Sequence, residues 1–221
     1  MIEILSGYNL TVGNAAYFDF LSDFIRAHYG NFTQQNLVKF LLSIVGRIQK
    51  ELKPSKATLS VKTGVKKRKV AGNLKVNKCW NTIRFIAEHD YFASHFLPIV
   101  EETLLPLFEY MVEPRAIDFD DDVVFCLSSL LKKGRYASTI LRKVFPFLRH
   151  FQEKYKGIFG NLLQALNLYI VHGRDMFTDD PEARTNLGYL YEMANRSLNR
   201  REPPVMLGNN MEGALLLQMM F

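Results

Sequence analysis

The chain has 221 residues, of which 48% are apolar, and a formal net charge of +6. Its 23% charged and 13% aromatic residues exclude a disordered or fibrous protein. No apolar run approaches the roughly 18 to 20 residues of a membrane helix, and the first residues lack the positive charge of a secretory signal. We therefore expect no membrane partner. Because two cysteines cannot build a disulfide framework, we also expect a reducing compartment.

The positive charge is concentrated in one segment. Ten of the 28 basic residues and one of the 22 acidic residues lie between Lys50 and Lys78, so this segment has a charge of +9 and the rest of the chain −3. Its centre is a run of four adjacent cations, Lys66, Lys67, Arg68 and Lys69. Such a run is typical of a contact with phosphate, with an acidic protein surface or with a receptor for nuclear localisation signals, and equally of a solvated loop.

Apolar residues recur at helical spacing along most of the chain. Amphipathic helices are predicted by the stripes Tyr17–His28, Leu37–Leu52, Val123–Leu131 and Ile158–Ile170. Only the short piece Thr58–Val61 alternates like a strand. The pattern predicts an all-α protein.

Helix boundaries are visible as capping signals. Four carboxylates are predicted at the start of the helix that contains Val123, where the helix dipole favours them. They belong to Asp118, Asp120, Asp121 and Asp122. Asp180 is predicted as an N-cap, with Pro181 at the first helical position and Glu182 in the first turn. The pair Pro203 and Pro204 ends the helix that runs from about residue 182 to 199.

The helices group into pairs that recur along the chain. We predict pairs at 14–52, 73–112, 118–155 and 157–199, a partial fifth pair at 209–221, and a basic inter-repeat loop at 53–72. With this loop set aside, the period is about 40 residues, which is that of HEAT and armadillo repeats, and an α-α superhelix is predicted. A closed bundle of about eight or nine helices would show the same stripes and stays open as an alternative. Because Ala214–Phe221 is apolar and uncapped, we expect a fragment of a longer solenoid or an end that pairs with another chain.

The sequence contains no recognisable catalytic, metal or cofactor motif. The histidines at 28, 89, 95, 150 and 172 form no ligand pair, and two cysteines are too few for a zinc site. The acidic run at 118–122 lacks the spacing, glycine and terminal glutamate of a calcium loop. We therefore predict no enzyme, metal or cofactor, and we interpret Trp80, the single tryptophan, as a packing residue.

Acidic residues form a second series along one predicted helix and the turn that follows it. The candidates for a surface that attracts basic partners are Glu101, Glu102, Asp118, Asp120, Asp121 and Asp122, with Glu109 and Glu113 in the same series. A hydrated face without a partner is the alternative interpretation.

Several phrases of the sequence resemble a known family. Six segments are similar, in this order, to the C-terminal repeats of the importin-β (karyopherin-β) superfamily. They are Asn77–Arg84, Leu97–Phe108, Ile117–Asp122, Val144–Phe147, Tyr169–Phe177 and Glu212–Gln218. The branch of importins seven and eight is the most similar. The resemblance covers roughly residues 15 to 221.

This resemblance implies a HEAT-repeat nuclear transport receptor that binds protein cargo without catalysis and shuttles between cytoplasm and nucleus. Implied partners are basic cargo of the ribosomal-protein or histone class and the FG-repeat nucleoporins. The Ran GTPase is expected to bind N-terminal repeats of the parent receptor, not these repeats. Two hypotheses stay open beside it: a HEAT-type scaffold or adaptor unrelated to transport, and a nucleic-acid-binding solenoid that uses the basic 50–78 segment.

Overall fold

The computed structural model describes residues 23–52, 64–112, 120–154 and 159–198. Every regular element within these ranges is a helix, and the helices bury their apolar stripes against one another. The predicted fold class, all-α with the helix-on-helix packing of a repeat protein, is therefore confirmed. The chain divides into two compact units, Met1–Ile117 and Asp118–Phe221.

The described part of the first unit contains three long helices. Residues 23–28 are helical and run into a short 3-10 turn, Tyr29–Asn31, which is followed by α1, Gln34–Leu52. Helix α2 is Gly64–Glu88 and helix α3 is Asp90–Val112, so only His89 separates these two. Helix α1 packs against both α2 and α3.

The core of this unit follows the helical period. On α1 the buried residues recur every three or four positions, with Leu41 and Ile48 fully enclosed. Trp80 and Ile83 of α2 and Phe108 of α3 are likewise inaccessible to solvent. The prediction that Trp80 is a packing residue is confirmed.

Two prolines lie inside α3. Pro98 and Pro106 each lack the N–H that would bond to the carbonyl one turn earlier. Both are exposed, so water can solvate the carbonyls that they leave without an intrahelical partner. The helix therefore continues through both prolines with its apolar side packed and its proline side in solvent.

The second unit is built from shorter helices. In chain order they are α4 Asp120–Gly134, α5 Thr139–Val144, α6 Phe147–Lys154, α7 Phe159–His172, α8 Asp175–Thr178 and α9 Ala183–Leu198. Helix α4 packs mainly on α7, and α9 packs on α8 and α6. Val124, Leu127 and Leu166 are fully buried between these helices.

An aromatic cluster joins several elements of this unit. The ring of Phe145, which follows α5, meets the rings of Tyr169 and Phe177 edge to face at 5.1 and 5.4 Å. The hydroxyl of Tyr169 donates a buried hydrogen bond to the carbonyl of Leu141 at 2.7 Å. Helix α5 is thus tied to α7 by a polar contact inside an apolar core.

The capping predictions can be checked at two helix starts. Helix α4 begins at Asp120, so the acidic run does supply its first turn. Before α9, the Asp180 carboxylate accepts a hydrogen bond from the backbone N–H of Glu182 at 2.8 Å. The prediction of Asp180 as the capping residue is confirmed, although regular helix starts only at Ala183.

The predicted domain boundaries need two corrections. The second helix pair starts at Gly64 and not at 73, so the basic loop predicted at 53–72 is wrong over 64–72. In the pair predicted at 118–155, the second half consists of two short helices with a break at Phe145 and Pro146. The partial pair at 209–221, the strand-like piece Thr58–Val61 and residues 53–63 lie outside the described residues.

None of the described helices combines the length and the hydropathy needed to cross a membrane.

Candidate protein-binding surfaces

The four adjacent cations of the basic segment lie in the first turns of α2. Successive residues of an α-helix are about 100° apart, so Lys66, Lys67, Arg68 and Lys69 occupy positions all around its axis. On α2 the side chains are described from Val76 onward, and Val76 is buried. The basic run belongs to the first half of α2, whose side chains lie outside the described residues.

The sequence signal for this longer helix was present but weak. Lysine, arginine and alanine are good helix formers, whereas Gly64 and Gly72 are not, and no apolar stripe marks the stretch. Once the second half of α2 is anchored in the core, the cost of starting a helix has already been met, and extending it is favourable. Tertiary packing thus decided what composition alone left open.

One of the residues predicted for the acidic surface is buried. Glu101 is only 1% exposed, so this carboxylate is buried among the helices of the first unit and cannot face a cargo. Its neighbour Glu102 is exposed, because the next position of the helix lies about 100° around the axis. The assignment of Glu101 to a cargo-binding face is wrong.

The carboxylates at the start of α4 belong to the second unit. Asp121 is exposed and accepts a hydrogen bond from the Asn161 side chain at 3.4 Å, and Asp122 is half-buried. The side chains of Asp118 and Asp120 lie outside the described residues. Asp121 therefore contacts α7 and is the exposed carboxylate among the described side chains of this run.

An acidic stripe remains on α3 of the first unit. Glu102 and Glu109 are both exposed and are seven residues apart, which is two turns or about 10 Å along the helix. Exposed Pro98 and Pro106 share this side of the helix. We call Glu102 and Glu109 the α3 acidic stripe; Glu109 belonged to the acidic series in the sequence but was not among its chosen candidates.

A second exposed feature lies on α9. Leu187 and Tyr191 are one turn apart, and their side chains are 38% and 61% exposed. Leu190, Met193 and Ala194 of the same helix are buried in the core of the second unit. The pair therefore presents apolar surface that the second unit does not use in its own core, and we call it the α9 apolar pair.

No group of three or more histidine, cysteine, aspartate or glutamate side chains among the described residues could hold a metal ion. Burial raises the pKa of Cys79 to about 12, which keeps this thiol protonated and unreactive at neutral pH. Cys126 is buried as well.

Three of the histidines pack on aromatic rings near one end of the first unit. His28 lies 4.7 Å from Phe24, His89 lies 4.3 Å from Tyr29, and His95 stacks on Tyr91 at 4.6 Å, all between ring centroids. The Tyr91 hydroxyl also donates to the Gly30 carbonyl at 3.2 Å. These contacts join the 3-10 turn to α3 and explain the histidines as packing groups.

Comparison of the chain with models of protein families, with curated proteins and with solved structures gives no match. The interpretation of the chain as an importin-type protein therefore depends on the sequence phrases given above.

Proposed function

We propose that this chain is a segment of an importin-type nuclear transport receptor that binds basic protein cargo without catalysis. The ordered phrases of the sequence support the family, and the packing of amphipathic helices supports a repeat protein. The observation on which the binding proposal depends is the α3 acidic stripe, whose two carboxylates are exposed and not used in the core.

The stripe suits a basic partner for a simple electrostatic reason. Exposed carboxylates attract lysine and arginine side chains over roughly a Debye length, about 8 to 10 Å at physiological salt. A spacing of about 10 Å between Glu102 and Glu109 matches every third residue of an extended chain. Each exposed pair contributes about 0.2 to 1 kcal/mol, so affinity comes from several pairs together.

Charge reversal tests this proposal. The double variant Glu102→Lys and Glu109→Lys replaces attraction by repulsion, and we expect it to weaken binding of a lysine- and arginine-rich histone-tail peptide about tenfold at low salt. The matched control is Glu182→Lys, an exposed reversal in the second unit, which we expect to change affinity less than twofold. Unchanged affinity and salt dependence in the double variant would contradict the proposal.

Transport itself needs a second experiment, because a scaffold unrelated to transport could also bind basic peptides. An importin-type segment should bind immobilised FG-repeat peptide, with small apolar pockets between outer helices taking the phenylalanine ring. The α9 apolar pair is the exposed apolar surface we would test first, with Leu187→Ser and Tyr191→Ser combined. Absence of binding by the unaltered chain would favour the scaffold hypothesis.

The nucleic-acid hypothesis has its own signature. If the basic half of α2 contacted phosphates, affinity for an oligouridylate would fall steeply with salt, with a slope that reports several released counterions.

The transport proposal has two further parts, which are shuttling between cytoplasm and nucleus and Ran binding by the parent receptor. Both follow only if the FG-repeat experiment succeeds.

A further inference from the structure

A charged groove lies within the first unit, between the helical residues 23–28 and the second half of α2. It encloses about 590 Å³ and is lined by Asp23, Arg26, Lys78, Asn81, Arg84, Phe85 and Glu88. The α2 residues of this lining recur at three- and four-residue spacing, so they share one face of the helix. Trp80 and Ile83, by contrast, belong to the buried face of α2.

Arg26 has an unusual position in this groove. Its side chain is exposed, and its guanidinium carbon lies 5.5 Å from the centroid of the Phe85 ring in a cation–π contact. Among the described residues, no carboxylate forms an ion pair with Arg26. The cation–π contact favours this position of the guanidinium, whose planar fork of N–H groups is suited to bind a carboxylate with two hydrogen bonds.

The described residues of the lining include more cations than carboxylates. Arg26, Lys78 and Arg84 outnumber the carboxylates of Asp23 and Glu88. The basic run at 66–69 belongs to the same helix, and nine residues of α2, or about 13 Å, separate its last member from Lys78.

We infer that this groove binds an extended acidic peptide segment of a partner protein. The α2 wall from Lys78 to Glu88 is about 15 Å long, which accommodates four or five residues of extended chain. Arg26 would bind an acidic side chain of the peptide, and the Asn81 amide could pair with its backbone. This partner is opposite in charge to the basic cargo proposed above, so the inference does not depend on that proposal.

The lining favours a peptide over a nucleic acid. A peptide can place its backbone N–H groups against the carboxylates of Asp23 and Glu88, whereas phosphate groups offer these carboxylates no hydrogen-bond donor. Single-stranded nucleic acids are held largely by stacking on aromatic faces. Phe85, the aromatic ring among the described residues of the lining, already has Arg26 over its face.

Fluorescence anisotropy with the full chain tests the inference. Fluorescein-labelled hexaglutamate is the probe, and hexalysine and a twelve-residue oligouridylate are the comparisons. We expect hexaglutamate to bind best, Arg26→Gln to weaken it about tenfold, and Arg26→Lys to restore only part of the loss, since lysine lacks the planar fork. The matched control Arg184→Gln removes an exposed cation from the second unit and should change affinity less than twofold.

Phe85→Leu supplies a second variant that keeps most of the apolar volume. It removes the ring that contacts the guanidinium, and we expect about a threefold loss of hexaglutamate affinity in a chain that still unfolds cooperatively. The Glu102→Lys and Glu109→Lys variant should bind hexaglutamate at least as well as the unaltered chain, which separates this site from the α3 acidic stripe.

Three results would overturn the inference. The first is no binding of hexaglutamate by the unaltered chain, and the second is equal affinity in the Arg26→Gln variant. The third is tighter binding of oligouridylate that is lost in the same variant, because this would assign the groove to nucleic acid.

Discussion

Arg142 of α5 forms an ion pair through its Nη2 with Oδ2 of Asp175, the first residue of α8. The same guanidinium donates from Nε to the Ala137 carbonyl at 2.9 Å, and its Nη1 lies 3.4 Å from the Asp180 carboxylate. Asp180 in turn caps the start of α9 through the N–H of Glu182. One side chain therefore ties the turn after α4 to both ends of the connection between α7 and α9.

Asp175→Asn tests this tie. The variant keeps the shape of the side chain and removes its charge, and we expect a loss of roughly 0.5 to 1 kcal/mol in the free energy of unfolding, because the carboxylate is exposed and screened by solvent. Urea unfolding at pH 7 measures the loss. Glu182→Gln, an exposed carboxylate with no described side-chain ion pair, is the control and should change stability by less than half as much.

The same pair predicts a pH dependence with a definite sign. The hydrogen bond from Arg142 lowers the pKa of Asp175 below its ordinary value of 3.8. A carboxyl whose pKa is lower in the folded state stabilises the fold above the unfolded value, and this contribution is lost as the pH falls through the folded value. The difference in the free energy of unfolding between the unaltered chain and the Asp175→Asn variant should therefore be constant from pH 5 to 7 and shrink below about pH 4. A difference that grows as the pH falls would contradict this assignment.

The buried hydroxyl of Tyr169 gives a second prediction. Tyr169→Phe removes the donor of the 2.7 Å hydrogen bond and leaves the Leu141 carbonyl buried without it. We expect the free energy of unfolding to fall by about 1 to 2 kcal/mol. Tyr191→Phe, whose ring is 61% exposed, is the matched control and should be neutral. Equal effects of the two substitutions would show that the buried hydrogen bond contributes nothing specific.

Two glycines of the second unit should respond oppositely to alanine. At Gly173 a Cβ atom would lie 2.9 Å from the Ala137 Cβ, from the Met176 sulfur and from the Tyr169 carbonyl oxygen, so Gly173→Ala forces its neighbours apart. We expect a loss of about 1 to 3 kcal/mol. A Cβ at Gly188, within α9, meets no atom within 4 Å, and Gly188→Ala should stabilise by about 0.5 to 1 kcal/mol. Thermal unfolding of both variants would decide, and the prediction fails if Gly173→Ala melts at or above the temperature of Gly188→Ala.

Apolar periodicity predicted much of the fold because it records which face of each helix is buried. It identified the helical stripes and Trp80 as a core residue, whereas the capping role of Asp180 was predicted from the residue types at 180–182. The same signal was available for Glu101, which lies four residues after Leu97 and three before Leu104, in the middle of a buried stripe. The prediction grouped Glu101 with its acidic neighbours, although the helical period places Glu101 on the buried face.

The contacts that define the charged groove leave no local signal. Arg26 and Phe85 are 59 residues apart, and nothing in either neighbourhood marks the pair as a cation–π contact. Likewise, the ion pair between Arg142 and Asp175 joins two elements through tertiary packing. Contacts of this kind are visible only in the three-dimensional arrangement of the helices.

The first half of α2 is where sequence and structure differ most, and a proline substitution tests it. Ala71→Pro removes a backbone N–H and crowds the preceding turn, so the helix should begin after residue 71. Hydrogen exchange should then accelerate in peptides covering 64–70, while peptides covering 76–88 keep their protection. Ala71→Gly, which keeps the N–H and lowers helix propensity by about 1 kcal/mol, should accelerate exchange less. Because like charges at 66–69 repel, added salt should slow exchange in the unaltered chain. Exchange over 64–70 at the rate of an unstructured peptide, with or without proline, would instead support the loop that composition predicts.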